Sequence, residues 1–485
     1  MKKTLLVVID GLGLREETDG NAFKQASTPN LGKLMAQQGF AKLEASGPAV
    51  GLPEGYTGNS EVGHLHLGAG RKIPQRLTRI NQAIENQELR EKKTLKSALE
   101  EAEREGKTVH LAGIISDGGI HGHIDHLKAL MGIASDYNVE VRIHCFTDGR
   151  DVCPKSAESF LNQIEEWTTE YTGEIATVMG RYFAMDRDNN WDRTQKAYDA
   201  IADGEGYNFS DPVQAVKKTY QEDDYDYFIQ PSVSESYEGL NNDDVLVFYN
   251  FRADRERQIA EAFMKEDFDD FETSVKPDFV SMFRYRKDFD NPVFFDKKVV
   301  EDTLGERIEE AGLSQLRVAE SQKKPHVTYF FNGQREIQFE HEDRKFVESD
   351  KIKSYDKKPE MHAEELTNIV TDSIENEEHD FILLNYANCD LVGHTGDLDA
   401  TIKAVEEVDR NIGRLNDVVE DSDYSMIITA DHGNCEDMGD EENPNTSHTL
   451  NKVPVLSKGK DLSGMDVFDL TDISKIVYNL FNESS

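Results

Sequence analysis

Basic residues are scarce in this chain of 485 residues. It holds 54 Lys and Arg against 94 Asp and Glu, a formal net charge of −40 at neutral pH, and its mean hydropathy is −0.64. A chain so short of positive charge does not offer the basic face that nucleic acid or an anionic membrane surface requires. Long apolar runs are missing as well. None approaches the roughly 20 residues of a membrane span, and the opening MKKTLLVVID has only a short apolar run before an acid, so it does not read as a secretory signal. Cysteine is sparse. Cys145, Cys153, Cys389 and Cys435 stand apart without CxxC spacing, the usage expected of a reducing cytoplasm rather than a disulfide framework. There is no internal repeat and no low-complexity linker. The sequence has no GxxxxGK[ST], and Asp10-Gly11-Leu12-Gly13 is no dinucleotide fingerprint. Around Ser60, Val62 takes the place of the second glycine of a GxSxG elbow.

Enough apolar material is present to build a core: 37% of residues are hydrophobic, with 24 Phe and 17 Tyr. The length is too great for one ordinary core, and length alone suggests about three domains. The acid excess is spread along the chain and thickens at Glu222 to Asp226, Asp267 to Glu272 and Glu375 to Asp380. It reads as a solvated acidic shell, of the kind that keeps a protein soluble in concentrated salt.

Continuous apolar runs mark strands buried on both faces, as in parallel sheets. Leu5 to Ile9 stops at Asp10-Gly11, Phe381 to Leu384 is followed by Asp390, and Met426 to Ala430 ends at Asp431-His432. Helical segments, Ala363 to Ile374 and Asp399 to Leu415, lie between them. The middle of the chain has the same pattern. Val109 to Ile115 ends at Ser116-Asp117-Gly118-Gly119, Val139 to Phe146 at Asp148, and Val245 to Tyr249 at Asn250-Phe251-Arg252. This alternation predicts an α/β architecture with mostly parallel sheets. Such sheets bind ligands beyond the carboxyl ends of their strands, which is where the acids, histidines and arginines fall.

Those polar groups form two sets. The chain ends supply Asp10, Asp390, His394, Asp431, His432 and His448. Asp390 and His394 are spaced to share one face of a helical turn. Carboxylates mixed with imidazoles suit a borderline or moderately hard divalent ion, and Mn²⁺ and Zn²⁺ both fit. Six ligands exceed one tetrahedral site, so two ions are expected. The middle supplies His121 and His123 after a Gly-rich turn, Asp148, Arg150 and Asp151 after a strand, Arg181 and Arg187 around Met185-Asp186, and Arg252 and Arg255 after another strand. Arginines at strand ends suit an anionic substrate, because guanidinium pairs bidentately with phosphate or carboxylate. In so acidic a chain they suit surface ion pairs equally well. Ser60 has no local base. Composition alone favours a plain helix-capping serine; the alternative is a nucleophile activated by a metal, at a helix start that favours an arriving phosphate.

Across nearly the whole chain a series of motifs runs in order: VVIDGLG, PEGYTGNSEVGH, SDGGIHGH, DGRD, MGRYFAMDRDNNWDR, FYNFRADR, KKPHVTYFFNG, SYDKKPEM, NYANCDLVGHTG, ITADHGN and NTSHT. This series closely resembles the cofactor-independent phosphoglycerate mutases, a branch of the alkaline phosphatase superfamily. The resemblance implies two α/β domains. An alkaline-phosphatase-like domain of residues 1–74 and 298–485 would carry the metals and the nucleophile. A phosphotransferase domain of residues 77–292 would be inserted in it, with hinges near Arg71 to Gln75 and Asn291 to Phe295. By motif match one ion would be held by Asp390, His394 and His448, the other by Asp10, Ser60, Asp431 and His432. Mn²⁺ is the favoured ion, and no bisphosphoglycerate is required. Ser60 would be the phosphorylated nucleophile. His121, Arg150, Asp151, Arg181, Arg187, Arg252 and Arg255 would bind and reorient the glycerate. Lys323 would steady the phosphoryl group; the family usually reads EKYPHVT where this chain has Gln322-Lys323-Lys324-Pro325-His326, so register favours Lys323 over Lys324.

The implied reaction passes the phosphoryl group of 3-phosphoglycerate to Ser60. The glycerate turns, Asp151 acts as base for the receiving hydroxyl, and 2-phosphoglycerate is released. Domain closure would keep water out. The small phosphoglycerate is the expected partner, with no nucleic acid and no membrane, for a cytoplasmic monomer. The rivals are a metal-dependent phosphatase, or another phosphosugar mutase such as a phosphopentomutase, which the complete middle set argues against, and a non-catalytic acidic ion-binding protein, which leaves Ser60 and the arginines without a role.

Overall fold

The apolar run after Lys3 is buried at every position from Thr4 to Ile9, because both faces of its strand are covered. The computed structural model describes residues 3–37, 39–440, 442–459, 461–462 and 467–482; Met1 and Lys2 of the opening run lie outside them. The chain divides into two compact units, Met1–Gln75 with Val299–Ser485, and Arg76–Lys298.

In the terminal unit, the strands of a seven-stranded sheet run in the order Glu342–Val347, Gln315–Glu320, Phe381–Tyr386, Lys3–Ile9, Tyr424–Thr429, Val453–Lys458 and Phe40–Leu43. The first five are mutually parallel, and Val453–Lys458 runs antiparallel to both its neighbours. Register decides where the strand-end acids fall. Ile9 stands opposite Tyr386 and Val8 opposite Thr429, so three strands finish at one level and release Asp10, the turn before Asp390, and Asp431 side by side. The helix Leu398–Glu420 covers one face. Its buried residues Val405, Val408, Ile412, Leu415 and Val419 recur every three or four positions, the stripe that a helix turns towards a core.

In the second unit the order is Tyr207–Phe209, Ser232–Ser234, Glu174–Gly180, Glu140–Thr147, Thr108–Ile114, Val245–Phe248 and Asp278–Ser281. One neighbouring pair, Glu174–Gly180 with Ser232–Ser234, is antiparallel and the rest are parallel. Phe146, Phe248, Phe263 and Tyr198 sit in its core. The expected strands and helices are present with ends displaced by one to a few residues; the strand expected over Val139 to Phe146 is Glu140–Thr147, and the long helix runs five residues beyond Leu415. All four cysteines are free thiols, three of them buried. Among the described residues no helix is long and apolar enough to cross a membrane.

Candidate active site

Beyond the strand ends of the terminal unit, Ser60 opens the helix Ser60–Ala69. Asn59, not Ser60, is the capping residue, its side chain accepting from Val62 N at 3.0 Å. Ser60 Oγ is thereby left free to face the strand ends. It lies 3.0 Å from Asp10 Oδ1, 3.0 Å from His432 Nε2 and 2.8 Å from Lys323 Nζ. The Lys323 ammonium also donates to Asp10 Oδ1 and Asp390 Oδ2, both at 2.7 Å, which uses its three donors. Burial opposes charge on Lys323, but Asp10 and Asp390 outweigh it and raise its pKa further. Burial likewise opposes ionisation of Asp10, and Lys323 and His432 hold it well below the usual carboxylate range. Lys324 is exposed, with its ammonium 5.4 Å from the centre of the Phe346 ring.

The tautomers at the second cluster are set by backbone carbonyls. His394 Nδ1 faces Thr446 O at 2.6 Å and His448 Nδ1 faces Gly58 O at 2.9 Å, so each places its proton there. The two Nε2 lone pairs then converge, 3.1 Å apart and each 3.2 Å from Asp390 Oδ1. That oxygen and Asp431 Oδ2 are buried and, among the described residues, accept no hydrogen bond. With both imidazoles neutral, three acceptors face one another, the arrangement a cation completes; the Asp390 carboxylate already raises the pKa of His394, a sign of the negative charge a cation would meet there. Asp390 with His394 and His448, Asp10 with Asp390 and His432, and Asp10 with His64 and Asp431 each have ligand atoms within 4.8 Å of one another. Burial opposes charge on His432, but Asp431, Asp10 and Asp390 raise its pKa to about 9. These three buried carboxylates outnumber the Lys323 ammonium and the His432 imidazole, which leaves negative charge for divalent ions to neutralise. The donor set therefore fits the metals that the sequence implies.

Two residues that the sequence did not single out orient these ligands. Asn385 Nδ2 donates to Asp10 Oδ2 at 2.8 Å and to His64 Nε2 at 3.1 Å. His64 Nδ1 lies 2.9 Å from Ser60 O and 3.2 Å from Asp431 Oδ2. His64 follows Ser60 by one helical turn, a spacing that would have flagged it; nothing local flags Asn385.

In the inserted unit, Asp148 follows the strand Glu140–Thr147 and acts as a hub. Its Oδ2 accepts from Ser116 at 2.7 Å, and its Oδ1 accepts from Arg150 N, Asp151 N and, at 2.6 Å, Arg181 NH1. Arg181 also donates to Asp151 Oδ2 at 2.5 Å. His121 stands 3.9 Å from Asp151 Oδ2 and 3.8 Å from Asp254 Oδ1. Burial, then the charge of Arg181, pushes its pKa down to about 3, so the imidazole is neutral. Asp254, which nothing in the sequence marks out within FRADR, pairs with Arg252 at 3.0 Å and Arg187 at 2.9 Å. Arg255 donates to Met185 O at 3.0 Å, and Arg150 is exposed. His123 does not join this group: its ring caps the helix Ile124–Ala134, accepting from Asp125 N. One unit thus presents a serine hydroxyl beside an ammonium and cation ligands, and the other a neutral imidazole with several guanidinium groups.

Two family models match the chain: BPG-independent PGAM N-terminus over residues 80–287, and type I phosphodiesterase / nucleotide pyrophosphatase over residues 206–453. A 2,3-bisphosphoglycerate-independent phosphoglycerate mutase of Listeria innocua is 43% identical over 486 residues, covering 98% of this chain and 95% of the relative. The enzyme of that name from Moorella thermoacetica is 46% identical over 462 residues, covering 93% and 90%. A crystal structure of Leishmania mexicana phosphoglycerate mutase at low cobalt concentration is 32% identical, with a TM-score of 0.72 and coverage of 100% and 96%. With this identity sustained over almost its whole length, the chain belongs to the family of 2,3-bisphosphoglycerate-independent phosphoglycerate mutases.

Proposed function

We propose that this chain interconverts 3-phosphoglycerate and 2-phosphoglycerate through a phosphoserine at Ser60, with two divalent cations, Mn²⁺ in preference, and without bisphosphoglycerate. The observation that carries the reading is the placing of Ser60 Oγ within 3.0 Å of Asp10, His432 and Lys323, in the unit that also holds the converging lone pairs of His394 and His448. When bound, the ions supply charge neutralisation at the phosphoryl oxygens and ease ionisation of the serine.

Ser60 exchanges its hydroxyl proton for the phosphoryl group, and the glycerate oxygen that loses phosphorus takes up a proton. Lys323 sits where it can offset charge on the transferring group, which matters most when transfer is loose. The dephosphorylated glycerate retains only its carboxylate and hydroxyls as handles. Its retention is assigned to His121, Arg150, Arg181, Arg187, Arg252 and Arg255. In the second half-reaction Asp151 takes the proton of the other hydroxyl as that oxygen receives the phosphoryl group from Ser60; the Ser60 oxygen takes up a proton as the phosphorus leaves, and Asp151 gives up its own to solvent, so that both groups return to their starting state. In this reading residues 1–74 and 298–485 carry the phosphatase chemistry and residues 77–292 hold the substrate. A reducing, cytoplasmic setting is supported by the four free cysteines, one of them exposed. A monomer is favoured by self-repulsion at a net charge of −40 and is checked by sedimentation.

The test is interconversion of the two phosphoglycerates with no bisphosphoglycerate added. Activity should vanish after chelation and return better with Mn²⁺ than with Mg²⁺, because imidazole ligands suit Mn²⁺. Quenched enzyme should carry phosphate on Ser60 by mass spectrometry, and Ser60→Ala should be inactive while still binding Mn²⁺. Full turnover by the chelated enzyme, or by Ser60→Ala, would sink the reading.

A further inference from the structure

Glu436 is wholly buried four residues beyond His432, and its hydrogen bonds among the described residues go to none of the ligand side chains. Its hydrogen bonds go instead to the three segments that carry them. Oε2 accepts from Gly13 N at 3.0 Å, three residues after Asp10, and from Asn434 N at 2.8 Å, two residues after His432. Oε1 accepts from the hydroxyl of Thr449, the residue next to His448, and from Asn451 Nδ2 at 3.0 Å. Four donors fill the acceptor capacity of a carboxylate. The backbone is shaped to admit it: a Cβ on Gly13 would overlap the Glu436 carboxylate, and one on Gly433 would overlap both Glu436 Oε1 and Thr449 Oγ1.

We propose that Glu436 is a positioning residue for the cation site, tying the Asp10, Asp431-His432 and His448 segments into one register. Asp10 and His432 lie just past the ends of the strands Lys3–Ile9 and Tyr424–Thr429, and His448 lies five residues before the strand Val453–Lys458, all on irregular backbone outside those strands. Ligand atoms must be fixed within a fraction of an ångström for tight coordination. Backbone bonds from Cys435 N to Gly11 O at 3.1 Å and from Thr449 N to Gly433 O at 3.0 Å join the segments in pairs, and the Glu436 carboxylate, bonded to all three, locks those pairs together. An apolar residue of equal size would fill the space but satisfy none of the four donors, and buried polar groups without partners loosen the backbone that bears them. Loss of such outer partners typically weakens metal binding by about 10–100-fold.

This inference rests on the metal reading above, and the experiment separates the two. Free Mn²⁺ is titrated by its electron paramagnetic resonance signal against wild type and Glu436→Gln, with thermal melting of the metal-free proteins in parallel. The amide keeps the size of the side chain but turns two acceptor positions into N–H donors that face Thr449 and Asn451, or Gly13 and Asn434. The expected result is a folded variant whose Mn²⁺ dissociation constant rises by roughly tenfold or more. Its KM for phosphoglycerate should change little while kcat at limiting Mn²⁺ falls, and excess Mn²⁺ should restore kcat. Where Glu436→Gln does not fold, Thr449→Val, which withdraws one donor beside His448, carries the same comparison. A lowered melting temperature with Mn²⁺ affinity equal to wild type would reduce Glu436 to a structural residue and overturn the proposal. Wild type that binds no Mn²⁺ would overturn the metal reading itself.

Discussion

Glu256 lies wholly buried beside Arg255, with one carboxyl oxygen accepting from Asn250 Nδ2 at 2.8 Å and the other unpartnered. Burial pushes its pKa up to about 8. A folded pKa raised above the unfolded value gives stability that is fully present below the unfolded pKa and lost as pH rises towards the folded one. Between pH 5 and 8 wild type should therefore lose on the order of 4 kcal/mol more than Glu256→Gln, which keeps an acceptor for Asn250. Urea unfolding at both pH values checks this, and parallel pH profiles for the two proteins would refute it. Arg252 sits two residues before Asp254 and pairs with it at 3.0 Å. Arg252→Ala should lower mutase turnover by roughly one to two decades through loss of a charged contact. Glycerate that escapes leaves phosphoserine to water, so phosphate released per 2-phosphoglycerate formed should rise. An unchanged ratio with normal turnover would make Arg252 a mere ion-pair partner of Asp254.

Helix starts in this molecule are not all capped by their own residues. The helix Pro29–Met35 has Thr28 at its cap position without a side-chain hydrogen bond. Asp409, from the middle of the helix Leu398–Glu420, reaches across instead and accepts from Asn30 N at 3.2 Å and Leu31 N at 2.7 Å. Asp409 is buried, so Asp409→Ala strands two backbone donors away from water. The expected cost is about 2–3 kcal/mol, seen as a lower urea midpoint with unchanged slope. A midpoint equal to wild type would mean that water replaces the carboxylate.

Over the whole molecule, a net charge of −40 opposes exposed ion pairs such as Arg410 with Glu407 and Lys475 with Asp472. Salt screens both. Exposed pairs contribute little each, whereas repulsion among excess acids sums over the surface. Repulsion should win, so the melting temperature should climb as sodium chloride rises from about 0.05 to 1 M and the screening length shrinks from above 10 Å to about 3 Å. A falling melting temperature would show that the ion pairs dominate.

The strands were legible because a strand buried on both faces needs nothing beyond its own apolar residues, as Leu5 to Ile9 illustrates. The pairing of Asp390 with His394 was legible because a helical turn fixes it. The order of the motifs made the family legible. Local pattern could not reveal that Lys3–Ile9 would lie between Phe381–Tyr386 and Tyr424–Thr429, because strand order is a property of pairings across hundreds of residues. That order carries Asp10 and Lys323 to within 2.7 Å of each other. Tertiary structure likewise brings Arg187 to Asp254, and Asn385 and Glu436 to segments far from their own. None of these contacts has a sequence signature, since each joins residues that only the folded chain brings near.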